Sequence, residues 1–205
     1  MKEAAPTILN AILTVDEMIE RIALHVGNNF NIDVYRSVNP VVPPNEVEIN
    51  AFYDQSKDQN SEIPIQIVLV TYPLDTMILW DAEMFDKVCK DIVDGIIHEV
   101  VHMKQSRARH FIDVITPYVE DATEAEEAKI CLADLDEIDA YSYRIAGELL
   151  DAENVMQMFE QPSKITPATS PHLWAYLHTF EGDVQNPIMR RLLKKVYKNY
   201  QNLKK

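Results

Sequence analysis

Asp81-Ala-Glu-Met-Phe-Asp-Lys-Val-Cys-Lys-Asp-Ile-Val-Asp-Gly-Ile-Ile-His-Glu-Val-Val-His102 is the stretch on which the fold turns. Phe85, Val88, Cys89, Ile92, Val93, Ile96, Ile97 and Val100 recur three and four residues apart, the period of one helix face. Asp81 stands where an N-cap belongs, just before the first periodic residue. The stripe is broad enough to predict a central, buried helix. His98 and His102 lie four apart on it, about 40° from each other in azimuth and one turn apart along the axis, so both imidazoles can reach one ion. Glu99 sits about 100° round from His98 and is free to act on a water rather than as a ligand. Gly95, three residues before His98, is read as leaving space at that ion, since glycine inside a helix costs roughly 1 kcal/mol relative to alanine and its presence asks for a reason.

Working outward toward the N-terminus, the period changes. Phe30–Arg36, Glu46–Tyr53 and Ile63–Tyr72 alternate or run apolar with β-branched residues, and Thr76–Trp80 adds a short fourth strand candidate. The polar run Ser56–Glu62 reads as a hairpin turn. Pro6–Val26 carries Ile8, Leu9, Ile12, Ile19, Ile22, Ala23 and Val26 at helical spacing, as one bent helix or two short ones, with Thr14 and Glu17 as a capping box and Gly27 as a stop. Toward the C-terminus, Gln105–Tyr118 reads mostly as loop, Ala125–Asp151 as two helices with a start at Asp134 or Asp136, and Ser170-Pro171 and Asn186-Pro187 as N-caps of two further helices. The expected class is α+β: a small mixed sheet of about three to four strands on the 81–102 helix and a second, glutamate-bearing helix, flanked by helical terminal segments. Residues 1–205 are expected to form one domain, with 171–205 as a C-terminal helical extension.

The formal net charge is −14, with an isoelectric point near 4.8. A surplus of acid repels polyanions, so nucleic acid is an unlikely partner for the body of the protein. Charge is uneven, however: seven of the nineteen basic residues fall in the last sixteen positions. There Ile188, Leu192, Leu193, Val196, Tyr197 and Tyr200 form an apolar face opposite the lysines and arginines. Docking of that apolar face on the core is preferred to contact with nucleic acid or an anionic surface. Cys89 and Cys131 are too few for a disulfide framework and are read as buried thiols. No window approaches the roughly 18 apolar residues of a membrane span, which predicts a cytoplasmic protein with no membrane partner.

His98-Glu-Val-Val-His102 is HExxH. Zn²⁺ takes two such imidazoles, a third protein ligand and an open position in hydrolytic sites. Residues Asp134-Leu-Asp-Glu-Ile-Asp-Ala-Tyr-Ser-Tyr-Arg144 offer that ligand, with Glu137 the candidate and Asp134, Asp136 and Asp139 as alternatives. HExxH followed some tens of residues later by Glu-x-x-Ala-Tyr on a second helix resembles the gluzincin metallopeptidases, especially the compact minigluzincin-like group, over about residues 63–150. It is also similar to the immunity-associated metallopeptidases, whose second motif has an aromatic that Tyr143 would match; the pair Leu149-Leu150 departs from that group's placement. The resemblance implies a zincin-like fold, Zn²⁺ held by His98, His102 and Glu137, and hydrolysis of a peptide or protein substrate with Glu99 as general base. Tyr141 is the first choice for stabilising the oxyanion, with Tyr143, His110 and His178 as other donors. The metzincin pattern of a third histidine at short spacing is missing, so Glu137 is preferred to His110. Asp94, one turn before His98, is a candidate to orient a ligand. The alternative function is a non-catalytic metal-binding or partner-binding protein on a peptidase-like fold.

Overall fold

Ile65–Thr71 (β4) is nearly continuous in apolar residues, and Ile65, Ile67, Leu69, Val70 and Thr71 are all buried. A strand covered on both faces belongs in the middle of its sheet. β4 accordingly lies between Ile32–Val38 (β2), parallel with Ile32 opposite Ile65, and Val47–Tyr53 (β3), antiparallel with Val47 opposite Thr71. This computed structural model describes residues 11–30, 32–112, 122–150, 152 and 155–205. The chain divides into two compact units, Met1–Phe111 and Ile112–Lys205. The class is mixed α+β, with a three-stranded and a two-stranded sheet.

The smaller sheet corrects the expected start of the chain. Ala11–Thr14 (β1) is a strand paired antiparallel with Met77–Trp80 (β5), with Leu13 opposite Ile78; the upstream part of the expected helix, residues 6–10, lies outside the described residues. Leu13, Ile78 and Trp80 are buried while Ile12, Met77 and Leu79 face out, the alternation that only a strand produces. Thr14 and Glu17 do form the capping box, with the Thr14 hydroxyl accepting from the Glu17 N–H and the Glu17 carboxylate accepting from the Thr14 N–H. The box therefore opens the helix Val15–Phe30 (α1) at the very end of β1, and that helix continues past Gly27. β5 is thus not a fourth strand of the larger sheet. Gln55–Gln59 (α2), capped by Asp54, is a helical turn where a hairpin loop was expected.

Ala82–Ala108 (α3) begins at the expected cap, with Asp81 accepting from the Met84 N–H at 2.9 Å. It runs further than the sequence indicates: Gln105–Ala108 is helical, and the helix closes through His110 and Phe111, both at positive φ. The Phe111 N–H returns to the Ser106 carbonyl at 2.8 Å, which satisfies a carbonyl of the last turn without glycine. Phe85, Val88 and Ile92 join the core made by β2–β4 and α1, whereas Val93 and Ile97 turn outward, so only part of the stripe is covered. Gly95 is buried at the closest approach of α3 to β3. A Cβ built there would lie 2.8 Å from the Ala51 Cβ. The glycine admits the sheet, which corrects its reading as room beside the metal ligands.

The far end of α3 is tied by charge to α2, the helical turn that follows β3. Arg107 grips Asp58 in a two-point pair at 2.6 and 2.9 Å, and the Tyr53 hydroxyl donates to the same carboxylate at 2.9 Å. The Asp58 side chain is only 5% exposed. Its acidity is held below the usual carboxylate range, first by the hydrogen bond from Arg107, against a smaller penalty from burial. Gln55 adds a second tie, accepting from Ser106 and donating to the Phe111 carbonyl.

In the second unit, Glu124–Ala133 (α4) and Leu135–Glu148 (α5) are the two expected helices, divided at Asp134, whose carboxylate accepts from the Asp136 N–H at 2.7 Å. Cys131 is exposed, because α4 has no apolar stripe and no buried residue. A short helix, Val155–Glu160 (α6), precedes Pro171–Thr179 (α7) and Pro187–Leu203 (α8), which start at the expected caps Ser170 and Asn186. Ile138, Ile145 and Leu149 of α5 share a core with Met189, Leu192, Val196 and Tyr200 of α8. Inside it the Asn199 amide donates to the Ser142 hydroxyl at 2.9 Å.

Gly95→Ala gains up to about 1 kcal/mol of helix propensity but forces two backbone-anchored methyls together, an overpacking that costs about 1–3 kcal/mol. Urea unfolding should show net destabilisation, relieved by adding Ala51→Gly; a more stable single variant would refute the contact. Asp58→Asn should cost about 1.5–3 kcal/mol, the range for hydrogen bonds to a charged group. Because the folded state holds this carboxyl more acidic than the unfolded chain does, its contribution is full above the ordinary carboxylate value and drains away as pH falls through and below about 4. The melting temperature of the wild type should therefore fall more steeply than that of Asp58→Asn between pH 5 and pH 2, roughly; parallel curves would contradict this.

Candidate metal centre

The i, i+4 geometry of α3 does to His98 and His102 what the spacing promises. Their rings lie 4.6 Å apart, inclined at 73°, and the two Nε2 atoms approach to 2.9 Å. Two nitrogens each about 2.05 Å from one ion are about 3.3 Å apart at a tetrahedral angle. The observed pair would need to part by only about 0.4 Å to meet that value. On the other side of His102, Nδ1 faces the Gln105 Oε1 at 3.1 Å. A side-chain oxygen there accepts the Nδ1 proton, which leaves the lone pair of a neutral His102 on Nε2, turned toward His98. In this pair the proton bridging the two Nε2 atoms then comes from His98. A cation shared by both rings needs His98 in the other tautomer, with its proton on Nδ1, so that each neutral imidazole offers an Nε2 lone pair.

Glu99 is 9% exposed, a burial rare for glutamate on a helix. It follows His98 directly, and the approach of α3 to β3 at Gly95, one turn earlier, fixes the helix in rotation. Asp94 is half-buried on the same turn. His110 lies beyond the helix on the exposed turn that closes α3.

Glu137 and Tyr141 belong to the second unit. Both are half-buried on α5, with Glu137 in its first turn. The neighbouring acids have structural tasks: Asp134 caps the helix, and Asp139 pairs with Lys195 of α8. The Tyr141 ring packs 5.6 Å from His172 and 5.6 Å from Tyr176. The Tyr176 hydroxyl is buried without a hydrogen-bond partner among the described residues, and its ionisation is pushed up first by burial and then by Tyr141 and Glu137. Of the other donors named from sequence, Tyr143 is exposed and His178 stacks on Trp174 with ring centroids 5.3 Å apart.

Sequence reading overlooked a buried acid on the same helix as Glu137 and Tyr141. The Glu148 side chain is 1% exposed, and its carboxylate is held by the Ser170 hydroxyl and by His172 Nδ1. A carboxylate so placed fixes the plane of the imidazole beside Tyr141. The signal was present in the spacing, since residues 137, 141 and 148 of one helix fall within about 40° of azimuth. What the spacing lacked was the partner, which arrives from the N-terminus of α7.

No helix among the described residues is long and apolar enough to cross a membrane. Comparison of this chain with protein-family models, with curated proteins and with solved structures finds no match.

Proposed function

We propose that this protein is a zinc-dependent metallopeptidase. The observation that carries the reading is the convergence of the His98 and His102 Nε2 atoms to 2.9 Å beside a buried Glu99. Two neutral imidazoles with aligned lone-pair positions, one oriented by Gln105, are a donor set suited to Zn²⁺. The third ligand is proposed to be Glu137, on the strength of the resemblance of Glu137-Ile-Asp-Ala-Tyr141 to the second gluzincin motif and of the structural tasks that occupy Asp134 and Asp139.

Zn²⁺ held by His98, His102 and Glu137 would polarise a substrate carbonyl and acidify water. Glu99 then takes the proton of the attacking water and delivers it to the departing amine, the two halves of general acid–base catalysis by one carboxyl group. Tyr141 donates its hydroxyl to the oxygen that gains negative charge. Its ring is braced by Tyr176 on one side and by the Glu148-anchored His172 on another, so little reorganisation is needed.

Purified protein should contain about one equivalent of zinc by mass spectrometry, as one three-ligand site requires. His98→Ala should lose it, and Glu137→Gln should weaken its retention against a chelator. Glu99→Gln should keep the metal but lose about 10²–10⁴-fold in turnover of an unstructured protein substrate. Zinc retained in Glu99→Gln with unchanged activity would assign the hydrolysis elsewhere. Absence of stoichiometric metal from the wild type, even after reconstitution, would remove the proposal altogether.

A further inference from the structure

The docking of α8 accounts for its apolar face and leaves its other face unexplained. At about 100° per residue, Met189, Leu192, Val196, Asn199 and Tyr200 occupy one arc, and all are buried. Arg190, Arg191, Lys194 and Lys198 occupy an arc centred diametrically opposite, and all four are exposed. None of their side chains makes an ion pair or hydrogen bond among the described residues. Gln201 and Asn202 extend the same face, so every polar group on it can donate a hydrogen bond and no carboxylate interrupts it. Residues 187–205 contain seven bases and no acid, whereas the rest of the chain sets twelve bases against thirty-three acids.

Local helix energetics do not ask for this arrangement. Arg190 stands in the first turn of α8 and Arg191 directly after it, close to backbone N–H groups that carry partial positive charge and make cations unfavourable. Other helices here obey that rule, with Asp16 and Glu17 opening α1 and Glu124, Glu126 and Glu127 opening α4. Lysine next to lysine adds repulsion, and Lys195 is made more acidic by burial first and by Lys198 second. The local energetics of α8 therefore do not account for the face.

We propose that the outer face of α8 binds the phosphate backbone of a DNA duplex without reading its sequence. Arg190, Lys194 and Lys198 form a column with about 6 Å between successive residues, rigidly mounted because the opposite face is locked in the core. Arginine, lysine, glutamine and asparagine are the side chains that contact phosphate oxygens. The face has no apolar or aromatic centre, which a protein partner would need for its anchoring contacts. Insertion as an amphipathic helix in a lipid surface would need the apolar face, which is buried on α5. Single strands would need stacking platforms, and Tyr197, the one ring at the margin, packs edge-on against Phe159 at 5.5 Å. The overall charge of −14 does not forbid the contact, since at physiological salt the field of the acidic remainder is screened beyond about 8 Å. The inference stands apart from the proposed peptidase activity and uses none of its residues.

The test is fluorescence anisotropy of a labelled duplex of about 20 base pairs with the full chain, at several salt concentrations. Binding should be weak, with a dissociation constant of about 10⁻⁴–10⁻⁶ M near physiological salt, and the logarithm of affinity should fall with that of salt at a slope near −3.6, corresponding to about four phosphates. The variant Arg190→Gln/Arg191→Gln/Lys194→Gln/Lys198→Gln should lose at least tenfold in affinity and most of the salt slope. Its melting temperature should equal or exceed that of the wild type, because the four charges do not support the fold. Failure to bind at about 50 mM salt, or equal binding by the variant, would overturn the proposal. So would a lower melting temperature in the variant, or tighter binding of poly-glutamate of equal charge, which would point to an acidic protein instead. Glu99→Gln should bind the duplex as the wild type does, so the outcome is independent of the metal site.

Discussion

The closest approach between α3 and β3, where Gly95 meets Ala51, is the constraint from which the rest of the first unit follows. With hydrogen in place of a methyl group, the helix axis can settle onto the sheet, and Phe85, Val88 and Ile92 reach the apolar run of β4. That contact also sets the rotation of α3. Once Gly95 points into β3, Glu99 one turn on is drawn under cover, while His98 and His102 emerge beside it and Val93 and Ile97 are left outside. Packing, and not any property of the motif itself, decides which edge of HExxH is buried. The Arg107–Asp58 pair acts at the other end of the same helix, so α3 is held on both sides of the two histidines.

Local chemistry was legible in the sequence; partnership across the chain was not. Asp81, Asp134, Ser170 and Asn186 were identifiable as caps because a cap bonds to backbone two or three residues away. HExxH was legible for the same reason, since two ligands four apart need only the helix that carries them. By contrast, Ala11–Thr14 continues the helical spacing of the residues before it, and only β5, more than sixty residues later, makes it a strand. Gly95 could be seen as meaningful, but its meaning resides in Ala51. Glu148 shares a face with Glu137 and Tyr141, yet its role depends on Ser170 and His172, which no local pattern connects to it. Cys131 misled for a simpler reason: α4 is a helix by capping and propensity and buries none of its side chains.

In the second unit, a buried polar pair answers across two helices. Ser142 accepts from Asn199 of α8 and donates to the Asp139 carbonyl of its own helix, so one side-chain hydrogen bond joins α5 to α8 within an apolar contact. Such a pair disfavours sliding of one helix along the other, since a shift of one residue would leave an amide unsatisfied. Tyr176 is different. Its hydroxyl is sealed in without a partner among the described residues, next to the ring of Tyr141 and within the field of Glu137. A phenol kept neutral in this way adds rigidity and no charge to the wall behind those two side chains.

Thr14 ends a strand and starts a helix with no residue between them. Two-stranded ribbons are ordinarily free to slip, because few bonds and one half-covered face distinguish one alignment from the next. Here a slip of β1 along β5 would drag Thr14 away from Glu17 and pull Val15 off the Thr76 carbonyl, to which its N–H donates at 3.1 Å. The helix cap thus acts as a ratchet pawl for the ribbon, and an exposed pair of strand edges is denied the sliding freedom that invites exchange between molecules.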